Sequence, residues 1–224
     1  MESLGKRTSK YLITWKPMDT NLSFKVGVLF ISLFANLVFL SAQAGKKEID
    51  YDVFGELGMG YVLPKAYGDN FLAQGYDIGN GINVDGMILI APRWLIGAQW
   101  GQFKGNVVDV DKVGAIDRTR ITHVHAVVAY SILGNDKQVS LRTGFGAGYA
   151  QYRHKQSTTK FMDDGFSVVA NLTFCYRFSN ALGVFLKLDQ YWDFLNIDTA
   201  PELETFFRNT QIFAPSIGIK LYTF

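Results

Sequence analysis

The sequence predicts an all-β fold, a closed antiparallel up-and-down barrel that crosses a membrane with eight strands. Three observations point there. Residues 51–224 divide into segments of alternating polarity, with bulky apolar side chains on one face. Long polar connections alternate with tight turns along the chain. Charged residues share the second face with glycine and serine, which makes a poor dry core for a soluble sheet.

The first four segments cover about 51–63, 80–91, 95–103 and 119–132. The fifth, Val139 to Tyr149, alternates most clearly. Val139, Leu141, Thr143, Phe145, Ala147 and Tyr149 face one way, and Ser140, Arg142, Gly144, Gly146 and Gly148 the other. The sixth, Phe166 to Phe178, sets Phe166, Val168, Ala170, Leu172, Phe174, Tyr176 and Phe178 against Ser167, Val169, Asn171, Thr173, Cys175 and Arg177. The seventh opposes Val184, Leu186, Leu188 and Trp192 to Phe185, Lys187, Asp189 and Tyr191, and the eighth covers 212–224. Each has roughly ten residues or more, the length a tilted strand needs to span a bilayer.

Polar stretches at 64–79, 104–118, 153–165 and 193–211 follow the odd-numbered strands. Tight turns at Pro92-Arg93-Trp94, Gly134-Asn135-Asp136-Lys137 and Ser179-Asn180-Ala181 follow the even-numbered ones. An even strand count is expected to put both termini on the tight-turn, periplasmic side. Pro64, Pro92 and Pro201 fall outside strands or at their edges, as a hydrogen-bonded ladder requires; Pro215 lies inside the last strand and predicts a bulge or a strand start. Closing the sheet into a ring satisfies every backbone group within hydrocarbon. Trp94, Trp100, Tyr130, Tyr149, Tyr176, Trp192 and Tyr222 lie near strand ends, where interfacial girdles form.

Ahead of the barrel, Lys25 precedes an apolar run from Val26 to Leu40 and then Ser41-Ala42-Gln43-Ala44. A positive flank, a 15-residue apolar stretch and a small-x-small ending predict a signal peptide over 1–44, cleaved after Ala44, with Met18 as an alternative start. The barrel domain then covers 45–224. An uncleaved membrane helix needs about 20 apolar residues, more than this run supplies. Residues 1–44 hold five of the 22 basic groups and two of the 20 acidic ones, so the net charge of +2 belongs to the leader. Nothing in the charge balance suggests a nucleic-acid partner. Cys175 is the only cysteine, which excludes an internal disulfide and a multi-cysteine zinc site.

The face opposite the apolar one carries Glu56, Asp85, Arg142, Arg177, Lys187 and Asp189. Eight strands enclose a space that side chains just fill. Opposite charges there are expected to pair into a plug, because an isolated buried charge is costly. The competing reading is a gated ion path in which Arg142 or Arg177 exchanges carboxylate partners. Gly144-Phe145-Gly146-Ala147-Gly148 lies inside a strand and lacks the strand–turn–helix context of a phosphate loop. Its glycines are expected to make room for Arg142, Arg177 and inward aromatics.

His123 and His125 share the lumen face of one strand. Lumen hydrogen bonding is the plain reading; two imidazoles alone make no metal site, and one acting as the base for a serine would make a lipid-modifying enzyme. Arg153, His154, Lys155 and Lys160 form a basic loop suited to lipopolysaccharide phosphates, and Asp193, Asp198, Glu202 and Glu204 an acidic one.

The chain ends Ile217-Gly218-Ile219-Lys220-Leu221-Tyr222-Thr223-Phe224. A terminal aromatic closing a last strand resembles the sorting signal of outer-membrane barrels, with Tyr222 and Phe224 as its aromatic residues. Together with the leader and eight hairpin-linked strands, the chain resembles the small barrels of the OmpA transmembrane-domain and OmpX type. The resemblance implies recognition by the barrel assembly machinery and residence in a bacterial outer membrane, among lipid and lipopolysaccharide. Ile217, Ile219 and Leu221 lie on the opposite phase from Tyr222 and Phe224, so a bulge near Leu221 is expected if all are to face lipid. The expected role is that of a monomeric, non-enzymatic surface protein without cofactor. A narrow transport barrel and a lipid A-modifying enzyme are the alternatives.

Overall fold

The computed structural model describes residues 53–133 and 138–223. The expected leader, its cleavage site and the terminal Phe224 lie outside them. Nine strands follow in order: β1 (Gly55–Val62), β2 (Lys65–Tyr67), β3 (Tyr76–Ala91), β4 (Trp94–Val107), β5 (Arg118–Ser131), β6 (Val139–Gln156), β7 (Thr159–Arg177), β8 (Leu182–Leu195) and β9 (Asn209–Thr223). All pairings are antiparallel, and β1 pairs with both β3 and β9, so eight strands close a ring. β2 is a short spur paired with β9 beyond the end of β1.

Pro215 sits opposite the gap between β1 and β2. Its carbonyl accepts from Leu63 N at 2.9 Å, so the N–H that proline lacks would have pointed to the same break. No bulge is needed. The β8–β9 ladder runs without a register shift from Leu182↔Leu221 to Phe194↔Asn209. Ile217, Ile219 and Leu221 therefore face outward, while Lys220 and Tyr222 are buried inside. Tyr222 is not a girdle residue.

Outside the ring, the apolar face forms a belt. On β7 the outward run from Phe166 to Tyr176 advances about 33 Å along the strand. A tilt of about 40° brings that to the roughly 25 Å height of a membrane band. Trp94 and Tyr130 meet edge to face, with ring centroids 5.0 Å apart, on the tight-turn side. Trp100, Val124, Tyr149 and Phe166 stand side by side toward the other end.

The long connections are more ordered than their polarity suggests. Residues 153–165, expected as a loop, continue β6 and β7 into a hairpin that turns at Ser157 and Thr158, with Ser157 at φ +53°. Asp117 accepts from Ser157 N at 2.7 Å and holds this turn. Polarity here marks the exit from the membrane rather than the end of the strand. The β2–β3 connection carries helix α1 (Phe71–Gly75), capped by Asn70, whose side chain accepts from Ala73 N at 2.9 Å. Phe71 and Leu72 are buried, and Phe71 packs against Tyr76, Tyr152 and Phe207. This short helix covers the long-loop mouth of the barrel. Helix α2 (Val110–Val113), a 3₁₀ turn (Pro201–Leu203) and α3 (Glu204–Arg208) occupy the other connections.

Candidate functional site

The interior is polar along much of its length. Its lower part is built by inward positions of β1, β3, β4, β6, β8 and β9. Arg142 Nη1 donates to Glu56 Oε1, and Lys220 Nζ donates to the same oxygen at 2.7 Å. Lys220 Nζ also lies 3.6 Å from Asp85 Oδ2. Lys187 Nζ stands 3.7 Å from Asp85 Oδ1 and 3.5 Å from Asp189 Oδ1, and donates to Gln99 Oε1 at 2.6 Å. Three cations face three carboxylates, all buried, so the cluster has no net charge. A cavity of about 30 Å³ is left among them.

Glycines set how closely these groups approach. A Cβ on Gly58 would lie 2.9 Å from Asp85 Oδ1, and one on Gly144 would lie 2.6 Å from Asn171 Oδ1. The side chains that need this space are therefore an aspartate and an asparagine across the ladder, not the expected arginines.

Higher in the barrel, Asp193 of β8 collects donors from several strands. Ser167 Oγ donates to its Oδ1 at 2.5 Å, and Tyr152 OH donates to its Oδ2 at 2.7 Å. His123 Nε2 lies 2.9 Å from Oδ2, and Thr210 Oγ1 donates to the same oxygen at 3.2 Å. His125 Nε2 lies 2.9 Å from Ser167 Oγ. Because an ionised carboxylate only accepts, Ser167 donates its hydrogen bond to Asp193 and His125 must donate to the serine oxygen.

A serine nucleophile needs the reverse, an imidazole that accepts the hydroxyl proton. Ser167 and His125 are also shut away from lipid and water, at 0% and 1% exposure. The arrangement is suited to tying strands together. His123 and His125 stack with centroids 5.7 Å apart, and each turns its Nε2 to a side chain. Among the described residues, no group of three or more His, Cys, Asp or Glu is placed to hold a metal ion.

Five of the six lumen charges expected from the sequence meet in one cluster: Glu56, Asp85, Arg142, Lys187 and Asp189. Arg177 does not join them. It lies at the tight-turn end, where its guanidinium sits 4.5 Å from the Tyr222 ring centroid and its Nε donates to Asn180 O at 3.0 Å. Lys220, Asp193 and His154 were not expected inside. Asp193 and His154 fall in polar stretches that predict loops, yet both are buried strand residues. Period-two counting continued through Leu195 puts Asp193 in phase with Lys187 and Asp189. Counting β9 from Ile217, Ile219 and Leu221 likewise puts Lys220 inside. Cys175 is buried in the lumen as a free thiol.

An apolar outer face around a filled, charge-balanced interior and a closed ring of eight antiparallel strands define the fold of small membrane barrels. No family model and no curated protein matches the chain. Among solved structures, it is similar to Neisserial surface protein A at 9% identity and a TM-score of 0.57, over 75% of this chain and 97% of that one. It is similar also to Ail, the attachment invasion locus protein of Yersinia pestis, solved with the heparin analogue sucrose octasulfate. That match has 13% identity, a TM-score of 0.50, and the same coverage of 75% and 97%. The likeness establishes the fold, that of the small eight-stranded outer-membrane barrels.

Proposed function

We propose that the chain is an integral protein of a bacterial outer membrane, a sealed barrel that presents its outward connections at the cell surface and catalyses no reaction. The carrying observation is the combination of an apolar outer belt with an interior matched three charges to three and covered at its mouth by α1. A channel needs a continuous polar opening, and the charged cluster encloses only about 30 Å³. The surface and attachment proteins that share the fold support a role outside the cell. A lipid-modifying enzyme would need its nucleophile open to the bilayer, whereas Ser167 faces the lumen and donates its hydrogen bond to Asp193.

One experiment separates these readings. Expressed in a Gram-negative host, the protein should fractionate with the outer membrane and change its gel mobility on heating. Purified, it should give at most small, intermittent conductance in planar bilayers, and the host's lipid A should keep its mass. A large steady conductance would overturn the sealed barrel. A lipid A mass change that disappears in Ser167→Ala would overturn the non-enzymatic reading.

A further inference from the structure

Above the belt, on the outer face of β4 to β7, cations stand directly opposite one another. Lys104 pairs with Arg120 and Arg120 with Arg153 in one row; Arg118 pairs with Lys155 and Lys155 with Lys160 in the next. All six side chains are exposed. Like charges directly across a ladder destabilise it. Yet among the described residues none of these six forms an ion pair. The three nearby carboxylates are engaged elsewhere: Asp117 accepts from Ser157 N, Asp164 from Tyr149 OH, and Asp163 Oδ2 lies 3.1 Å from His154 Nε2. Five of the cations line a cleft of about 560 Å³ that Phe161 and Met162 also line.

Position selects the anion. Arg153 is four residues beyond Tyr149 of the upper aromatic row, about 13 Å along the strand. At a tilt of about 40° that is about 10 Å above the row, at headgroup depth. Anions at that depth are lipid phosphates, and guanidinium groups suit them through paired hydrogen bonds. We infer that this face holds the phosphorylated sugar head of an outer-leaflet glycolipid, with protein cations replacing the divalent ions that would otherwise bridge neighbouring phosphates. Met162, paired with Arg153 and in phase with Lys160, gives its apolar edge a surface to rest on. The inference rests on the outer-membrane reading above.

The full barrel, refolded into phosphatidylcholine nanodiscs carrying diphosphorylated lipid A, is extracted into mild detergent with EDTA and weighed by native mass spectrometry. Wild type should retain lipid A despite the chelator and release it in high salt. Arg120→Gln/Arg153→Gln/Lys155→Gln should lower retention by about a hundredfold, at about a factor of five per basic residue near a membrane surface. Its heat-modifiable mobility should be unchanged, since all three side chains are exposed. Equal retention by the triple variant would overturn the inference, as would loss of lipid A from wild type in EDTA. Inositol hexakisphosphate binding as tightly as lipid A in lipid-free micelles would assign the cleft to a soluble polyanion instead. Failure to insert into vesicles at all is a separate result, and it would strike the outer-membrane reading itself.

Discussion

Glu56 is the residue on which the lower cluster turns, because two cations donate to one of its oxygens. Glu56→Gln preserves its shape and removes its charge, leaving three cations for two carboxylates. At an effective dielectric of 20, a unit pair 2.7 Å apart attracts by about 6 kcal/mol. Part of that is offset because a neutral amide costs less to bury, so the net loss should be about 3–5 kcal/mol, the usual cost of breaking a buried pair. Lys220→Met alone should cost a similar amount by the opposite imbalance. The double variant restores balance with two cations and two carboxylates. It should be at least about 2 kcal/mol more stable than the sum of the single effects predicts. Reversible urea unfolding in lipid vesicles measures all four proteins. Additivity within about 0.5 kcal/mol would refute the compensated network, because independent sites behave that way.

Depth in the membrane should govern the outer face: Leu172→Lys, in the middle of the belt on β7, should cost about 2–4 kcal/mol, while Gln151→Lys near the outer edge should cost about 0–1. Equal penalties in the same unfolding assay would place the belt wrongly. Asp193→Asn should destabilise by about 3 kcal/mol, because donors from β5, β6 and β7 converge on the carboxylate, whereas Ser167→Ala should cost about 1. A reversed order would remove Asp193 from the centre of the upper network. N-terminal sequencing of protein extracted from the membrane should begin at Gly45, and an intact Val26–Leu40 segment would count against cleavage.

Facing was legible wherever a strand alternated between bulky and small side chains, as Phe166 to Phe178 and Val139 to Tyr149 do. Parity tells which wall a residue belongs to but not how high it stands. Parity therefore groups Arg177 with Glu56, although its place beside the β7–β8 turn directs it to turn carbonyls and Tyr222. Strand ends were harder to read for a different reason. Once a strand leaves the hydrocarbon its outward residues become polar, and Arg153, Lys155 and Lys160 looked like loop while their backbone stayed paired. The same polarity predicts loops around His154 and Asp193, which stay in strands. In β9 the terminal aromatic pulled Tyr222 to the lipid side, and the three aliphatic residues between were the better guide. The Asp193 hub was illegible because its members come from β5 to β9 and share no sequence spacing.

The seam between β1 and β9 bears on how the molecule reaches its final form. The other neighbouring strands of the ring are consecutive long strands along the chain, whereas Glu56 and Lys220 lie 164 positions apart. Contacts so distant carry the largest loop-closure entropy and are slow to form. The ion pair that straddles this seam also completes the balance of the lower cluster. Until the two end strands meet, the sheet has two open edges, Glu56 lacks Lys220, and Asp85 lacks one of its two cations. Joining the strands removes both edges and supplies both carboxylates together. A partly curled sheet gains neither, and this ties the last and slowest contact of the chain to cooperative assembly of the whole barrel.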